Sequence, residues 1–176
     1  MVGSEMKVTV DTNILVRAVV RDDPKQGESA AKLLRGASMI AVATPCLCEL
    51  VWVLRRVYGF TPSAVSTAIR ALLAVSNVET NRPAAEAGLA MLEAGGDFAD
   101  GVIAYEGRWL GAETFVSFDK KAVELLKAQG GGGKVTVTQY SSKSRRATHS
   151  FFVSARAIPR AICRTIRGKY TSFQQP

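Results

Sequence analysis

Read from its amino terminus, the chain alternates short β-branched apolar stretches with longer stretches of helical period. Met6–Val10 alternates and ends in Val8-Thr9-Val10, which predicts a strand. Ile14–Val20 continues apolar as a short helix. Asp22-Asp23-Pro24 reads as a helix start, a capping acid followed by proline at the first position, and that helix carries Ala30, Ala31, Leu33 and Leu34 to a stop at Gly36. Met39–Ala43 predicts a second strand. Thr44-Pro45 opens a helix from Cys46 to about Tyr58, closed by Gly59. It is apolar on most sides (Leu47, Leu50, Val51, Trp52, Val53, Leu54, Val57) and is therefore expected to be buried. Thr61-Pro62-Ser63 begins another helix, with Val65, Ala68, Ile69, Leu72 and Leu73 at helical spacing. Asn77–Thr80 predicts a short strand, and Asn81-Arg82-Pro83 caps a helix that runs through Leu92 to Gly95-Gly96. The next helix-like run (Val102, Ile103, Tyr105, Trp109, Leu110) stops near Gly111. Thr114–Phe118 is a β-prone strand, Lys120–Ala128 a helix, Gly130–Gly133 a turn or linker, and Lys134–Thr138 a last strand.

Strands alternating with helices predict an α/β protein whose mostly parallel sheet is covered on both faces. In such folds, sites form outside the carboxyl ends of the strands. The acids fall there. Asp11 follows the first strand and Asp119 the Thr114–Phe118 strand, while Glu49 and Asp100 lie near helix starts. Asp97 sits at an N-cap position with Asp100 one turn in, on the same helix face. Capping explains any one of these acids, because a carboxylate complements the helix dipole. Four acids on one rim are harder to explain that way. Glu49, inside an apolar run, is costly unless it is paired, metal-bound or open to a cleft; the bland alternative is a side chain that reaches solvent.

Composition narrows the classes. The 176 residues suffice for one domain with a core, and 47% hydrophobic and 22% charged content is ordinary for a globular chain. No apolar run approaches the ~20 residues of a membrane span, so no membrane association is expected. The first residues lack a basic segment followed by an apolar one, so no signal peptide is expected and a cytoplasmic location fits. Whether Met1 or Met6 is the natural start stays open. The three cysteines (Cys46, Cys48, Cys163) form no C-x-x-C, and His149 is the single histidine, which argues against a zinc site and a disulfide framework. Cys46 and Cys48 read as small core residues. The net charge of +8 is uneven: residues 134–176 hold nine of the 23 Lys and Arg and none of the 15 acids. The basic character thus belongs to the tail and says little about the main domain.

Carboxylates packed together repel unless something neutralises them, and the usual answer is a hard divalent cation such as Mg²⁺ or Mn²⁺. Such an ion polarises a phosphate and makes water more nucleophilic. Other hydrolytic schemes lack parts here. One histidine excludes a two-histidine ribonuclease mechanism, and there is neither a G-x-S-x-G elbow nor a G-x-x-x-x-G-K-[ST] loop. Metal-assisted hydrolysis of a phosphodiester is the reading best supported. A non-catalytic module that keeps the acids as a metal- or partner-binding surface competes with it. So does a phosphoacceptor or phosphatase domain, which the pattern Asp11-Thr12-Asn13, without D-x-D, disfavours.

The motifs V-D-T-N-I-L-V-R (Val10–Arg17), D-D-P, C-E-L-V-W-V-L-R-R (Cys48–Arg56), G-G-D-F-A-D-G-V-I-A and T-F-V-S-F-D-K-K-A (Thr114–Ala122), in that order, resemble a PIN domain. More narrowly they resemble VapC-type toxins of type II toxin–antitoxin modules, over about residues 6–128. The resemblance implies an α/β/α sandwich and an Mg²⁺- or Mn²⁺-dependent endoribonuclease. It also implies a homodimer held inactive by a VapB-type antitoxin. By the same resemblance Asp11, Glu49, Asp100 and Asp119 match the catalytic, metal-binding acids. Asp97 matches a supporting acid, and Asn13 and Ser117 match polar residues that orient the acids. Water would attack the phosphorus and leave 5′-phosphate and 3′-hydroxyl ends. Because RNA must reach an acidic rim, Arg17, Arg55, Arg56, Arg82 and Arg108 are candidates for phosphate contacts. A PIN ribonuclease of RNA processing is the runner-up, which the short chain disfavours. The apolar helices of residues 45–75 are the expected dimer surface.

The expected organisation is a nuclease domain over residues 6–139 and a basic extension over 140–176. The extension departs from the family pattern. It is rich in Ser, Arg and Thr, with Ile158, Ile162 and Ile166 at helical spacing and Pro159 interrupting. A disordered silent extension, an RNA-binding arm and a membrane-surface helix all fit this composition, the last least because of Pro159.

Overall fold

The computed structural model describes residues 6–130 and 134–137, which fall in one compact unit. The extension over 140–176, with its isoleucine stripe, lies outside the described residues, as do Met1 to Glu5. The chain runs β1 (Lys7–Thr9), α1 (Thr12–Val20), α2 (Pro24–Gly36), β2 (Met39–Ala41), α3 (Thr44–Arg56), α4 (Pro62–Leu73), β3 (Val78–Glu79), α5 (Arg82–Glu93), α6 (Phe98–Trp109), β4 (Thr114–Ser117), α7 (Lys120–Ala128) and β5 (Lys134–Val137). Every strand pair is parallel. The ladders fall into two sheets rather than one continuous sheet: β1–β2–β3, with Val8 opposite Ile40 and Ile40 opposite Val78, and β4–β5, with Phe115 opposite Val135. Helices and parallel strands make an α/β/α architecture, as the alternation of periods predicts.

Most helices start at a capping side chain and, often, a proline; α3 is the exception, with Ala43 at its N-cap and Pro45 in its first turn. Asp23 accepts from the amides of Lys25 and Gln26 ahead of Pro24, Thr61 caps α4 ahead of Pro62, and Asn81 caps α5. The core gathers Val10, Ile40, Val42 and Val78 from the first sheet and its strand ends. Leu15, Leu47, Leu50, Leu54, Val65, Ile69, Leu89, Phe98 and Val102 join them from the helices. The expectation that α3 is buried on most sides is corrected. Leu47, Leu50, Val51 and Leu54 form one buried face, while Glu49 and Arg56 are exposed and Trp52 is 46% exposed. An apolar composition does not distinguish a helix buried all round from one with an aromatic turned outward.

Helices α5 and α6 approach closely, and glycine makes it possible. A Cβ at Gly101 would strike the Ala87 carbonyl oxygen and lie 2.8 Å from Met91 Cβ, and one at Gly88 would lie 2.7 Å from the Phe98 ring. The Phe98 ring thus occupies the space that Gly88 leaves, and it is 1% exposed.

Candidate active site

The stretch joining α5 to α6 is set by its two glycines. Gly95 takes a φ of +88°, the left-handed conformation that ends a helix cheaply only at glycine. Gly96 packs where a Cβ would lie 2.6 Å from Met91 Sδ. The chain then turns into α6 with Asp97 as N-cap, its Oδ1 accepting from the Ala99 amide at 2.8 Å. Asp100 follows in the first turn, half-buried. Asp119 arrives by a different route, at the end of β4. Its Oδ1 caps α7 by accepting from the Lys121 and Ala122 amides at 2.9 and 3.3 Å, and its own amide donates to Ser117 Oγ at 3.0 Å.

These elements enclose a cleft of about 610 Å³. Asp97, Asp100 and Asp119 line it together with Arg55, Arg56 and Lys121, and Cys48 and Trp52 of α3 contribute to its wall. Burial pushes the Asp100 carboxyl above its ordinary range, and the negative charges of Asp97 and Asp119 push it the same way. Burial also holds the Cys48 thiol up at about 11, with Glu106 and Asp97 adding to the shift, so Cys48 stays a neutral thiol at physiological pH.

Asp11 and Glu49 are positioned by α1 and α3. Asp11 caps α1, its Oδ1 accepting from the Ile14 amide at 3.1 Å. Glu49 accepts from the buried hydroxyl of Thr12, Oγ1 to Oε2, at 2.7 Å. The two acids share Cys46 as a neighbour: its thiol is raised first by burial, then by the charges of Glu49 and Asp11. Asp100 and Asp119, with Asp97, line the cleft, while Thr12, the residue next to Asp11, holds Glu49 by its hydroxyl. Among the described residues no three His, Cys, Asp or Glu side chains are gathered closely enough to hold an ion. The donors present are nonetheless hard carboxylate oxygens, the kind that Mg²⁺ and Mn²⁺ take. The like charges acting on Asp100 are of the sort that a divalent cation relieves.

The other expected residues are distributed unevenly. Ser117 supports Asp119 through its backbone amide, and Asn13 is exposed in the first turn of α1. Arg55 and Arg56 reach the cleft. Arg17 instead pairs with Asp22 at 2.6 Å and donates to Gln26, and Arg82 donates to the Leu73 and Val78 carbonyls at 2.6 and 3.3 Å. Arg108 is exposed in the last turn of α6. Sequence reasoning missed Thr12, Trp52 and Lys121. Thr12 had a signal, a polar residue between two others at the mouth of an apolar helix. Lys121 had one too, a base two residues after an acid expected in the site.

The family model described as PIN domain matches residues 8–127, and the chain belongs to that family. PIN domains are in general metal-dependent nucleases. No curated protein matches the chain. Among the described residues no helix is long and apolar enough to cross a membrane.

Proposed function

We propose that this PIN domain is an endoribonuclease toxin of the VapC kind, dependent on Mg²⁺ or Mn²⁺ and neutralised by a VapB-type antitoxin. One observation carries the reading: acids from two separate helix starts, Asp97 and Asp100 on one side and Asp119 on the other, share a single cleft with Arg55, Arg56 and Lys121. Acids alone repel a polyanion; acids beside three bases can receive one. Asp11, Glu49, Asp100 and Asp119, with Asp97 in support, are the residues that would hold the cation. When bound, it polarises the phosphodiester and makes water a better nucleophile. Arg55, Arg56 and Lys121 take the phosphate oxygens and fix the backbone. Thr12 keeps one Glu49 oxygen in place, and Ser117 keeps the Asp119 backbone in place. Attack by water at phosphorus leaves 5′-phosphate and 3′-hydroxyl ends. The toxin reading brings with it a cytoplasmic setting and a homodimer.

The test is cleavage of total RNA by the purified protein with Mn²⁺, with Mg²⁺ and with chelator, beside Asp100→Asn. Metal-dependent cutting that the variant loses supports the nuclease, and ends carrying a 2′,3′-cyclic phosphate would overturn the mechanism. A second reading, a non-catalytic module that binds a partner through its acids, is favoured by one observation: Asp11, Asp97 and Asp119 each cap a helix. Growth inhibition that survives Asp11→Asn and Asp100→Asn would favour it.

A further inference from the structure

A separate groove of about 350 Å³ lies where α1 ends and α2 begins, lined by Arg21, Pro24, Gly27, Glu28, Ala31 and Arg35. Gly27 lets α2 approach the end of α1: a Cβ there would lie 3.3 Å from the Arg17 carbonyl oxygen and 3.6 Å from Arg21 Cα. Arg21 is held at a φ of +57°, and among the described residues no other non-glycine takes a left-handed conformation. A side chain is costly there, and such strain persists only where the surrounding structure imposes it. Arg21 and Arg35 are both exposed. Neither pairs with an acid, since the ion pairs among the described residues belong to Arg17 and Arg70. Glu28 is the one acid in the lining, against two arginines, so the groove keeps a positive charge.

We propose that this groove is a second phosphate-binding site, where Arg21 and Arg35 hold the RNA backbone at a distance from the acid cleft. It rests on the nuclease reading and lengthens the contact that reading gives the substrate. A guanidinium suits phosphate because its planar fork of donors matches two of the oxygens. Pro24, Gly27 and Ala31 put no long side chain between the two arginines. Continuity with the cleft favours RNA over an acidic protein segment. Arg55 and Arg56 line the cleft from the last turn of α3. Two residues on, the Tyr58 hydroxyl donates to Asp22 at 2.7 Å, and Asp22 follows Arg21 directly. The charge of Asp22 is taken up by Arg17. The turn that carries Arg21 is thereby fixed against the end of the helix that carries Arg55 and Arg56. A strand that follows this connection out of the cleft meets a second pair of arginines, which hold it without reading its sequence.

The test uses the full chain with Asp100→Asn, in Mg²⁺, so that RNA is bound and not cut. Anisotropy follows a short and a long labelled oligouridylate over a series of salt concentrations, for Arg21→Gly, Arg35→Gln and Glu28→Gln. Arg21→Gly removes the guanidinium and the backbone strain together, so the fold should keep its stability. Circular dichroism checks that each variant is folded. Each arginine variant should weaken binding of the long RNA by about threefold or more and lower the slope of log affinity against log salt by about 0.7. Glu28→Gln should tighten it, a gain that a merely structural role for the groove does not predict. The short RNA, which fills the cleft alone, should bind every variant alike. Long RNA that binds both arginine variants with unchanged affinity and slope overturns the site and leaves the nuclease reading intact. That result, with loss of polyglutamate binding in the same variants, would assign the groove to an acidic protein segment instead. Equal losses for the short and the long RNA would move the arginines into the cleft and overturn a separate site. RNA that binds at neither length overturns the nuclease reading and the groove with it.

Discussion

The buried hydroxyl of Thr12 donates to the exposed carboxylate of Glu49 across 2.7 Å, joining the first turn of α1 to α3. Cys46 Sγ lies 3.6 Å from the same hydroxyl, but a hydroxyl has one proton, and the charged oxygen is the stronger acceptor. Thr12→Val keeps the shape and removes the donor. It is expected to cost about 1 kcal/mol or less in a denaturant titration, since Glu49 can turn to water. Removing a residue that orients an acid ligand typically costs activity ~10-fold. Thr12→Ser should keep both. A Thr12→Val protein with unchanged cleavage would show that Glu49 needs no positioning.

Asp100 predicts a trade between stability and activity. Its folded-state carboxyl is raised by burial, then by Asp97 and Asp119, so the folded chain holds its proton more tightly than the unfolded one. Stability contributed at this position is therefore full below the ordinary carboxylate range and falls as pH rises through the raised value. Asp100→Asn removes the charge, so at neutral pH without metal it should melt no lower than the wild type. It should also lose metal-dependent cleavage by at least ~100-fold. Added Mn²⁺ should raise the wild-type melting temperature and leave that of the variant nearly unmoved. Calorimetry with and without Mn²⁺ reads all three melting outcomes; a variant that melts well below the wild type contradicts the account.

Much of this was legible in the sequence, because most elements begin with their own punctuation. The cap-and-proline pairs at Asp23-Pro24, Thr61-Pro62 and Asn81 to Pro83 mark where α2, α4 and α5 start, and Gly95-Gly96 marks the turn into α6. The acids that follow strands were visible as types and positions. What stayed hidden depends on side-chain direction. Period alone does not say that Trp52 faces out while Val51 beside it is buried, nor that Arg82 spends its guanidinium on the Leu73 and Val78 carbonyls. Nor does it say that Thr12 holds Glu49, or that Asp97, Asp100 and Asp119 line one cleft. Such choices are made in tertiary packing, between residues distant in sequence.

The α5–α6 contact predicts a steep cost for the smallest change. Gly101→Ala would press its methyl group into the Ala87 carbonyl and the Met91 side chain, and backbone on one side cannot move aside as a flexible chain end can. Overpacking of this kind typically costs 1–3 kcal/mol, and about 2 kcal/mol is expected here despite the helix propensity gained over glycine. Gly107→Ala is the control on the same helix: its Cβ would meet only Ala112 Cβ, at 4.0 Å, so propensity should win and stability should rise slightly. Chemical denaturation of both variants checks the pair, and equal effects at the two positions would refute the packing argument.

The last prediction concerns acid. Asp22 accepts from Arg17 at 2.6 Å and from the Tyr58 hydroxyl at 2.7 Å, tying α1, the start of α2 and the end of α3 together. The Arg17 hydrogen bond, then that of Tyr58, holds the Asp22 carboxyl below its ordinary value. A lowered folded-state value means that the unfolded chain takes up the proton first. The pair's contribution is thus present above the ordinary carboxylate range and is lost as pH falls through the lowered value. Asp22→Asn should leave the acid limb of a pH–stability curve shallower than in the wild type, with a difference that shrinks below that range. The effect should be modest and should weaken further in high salt, because the pair is near the surface. Urea midpoints measured from neutral pH down through the carboxylate range, at low and high salt, decide it. A wild-type advantage that persists at the acid end would assign the contribution to shape and not to charge.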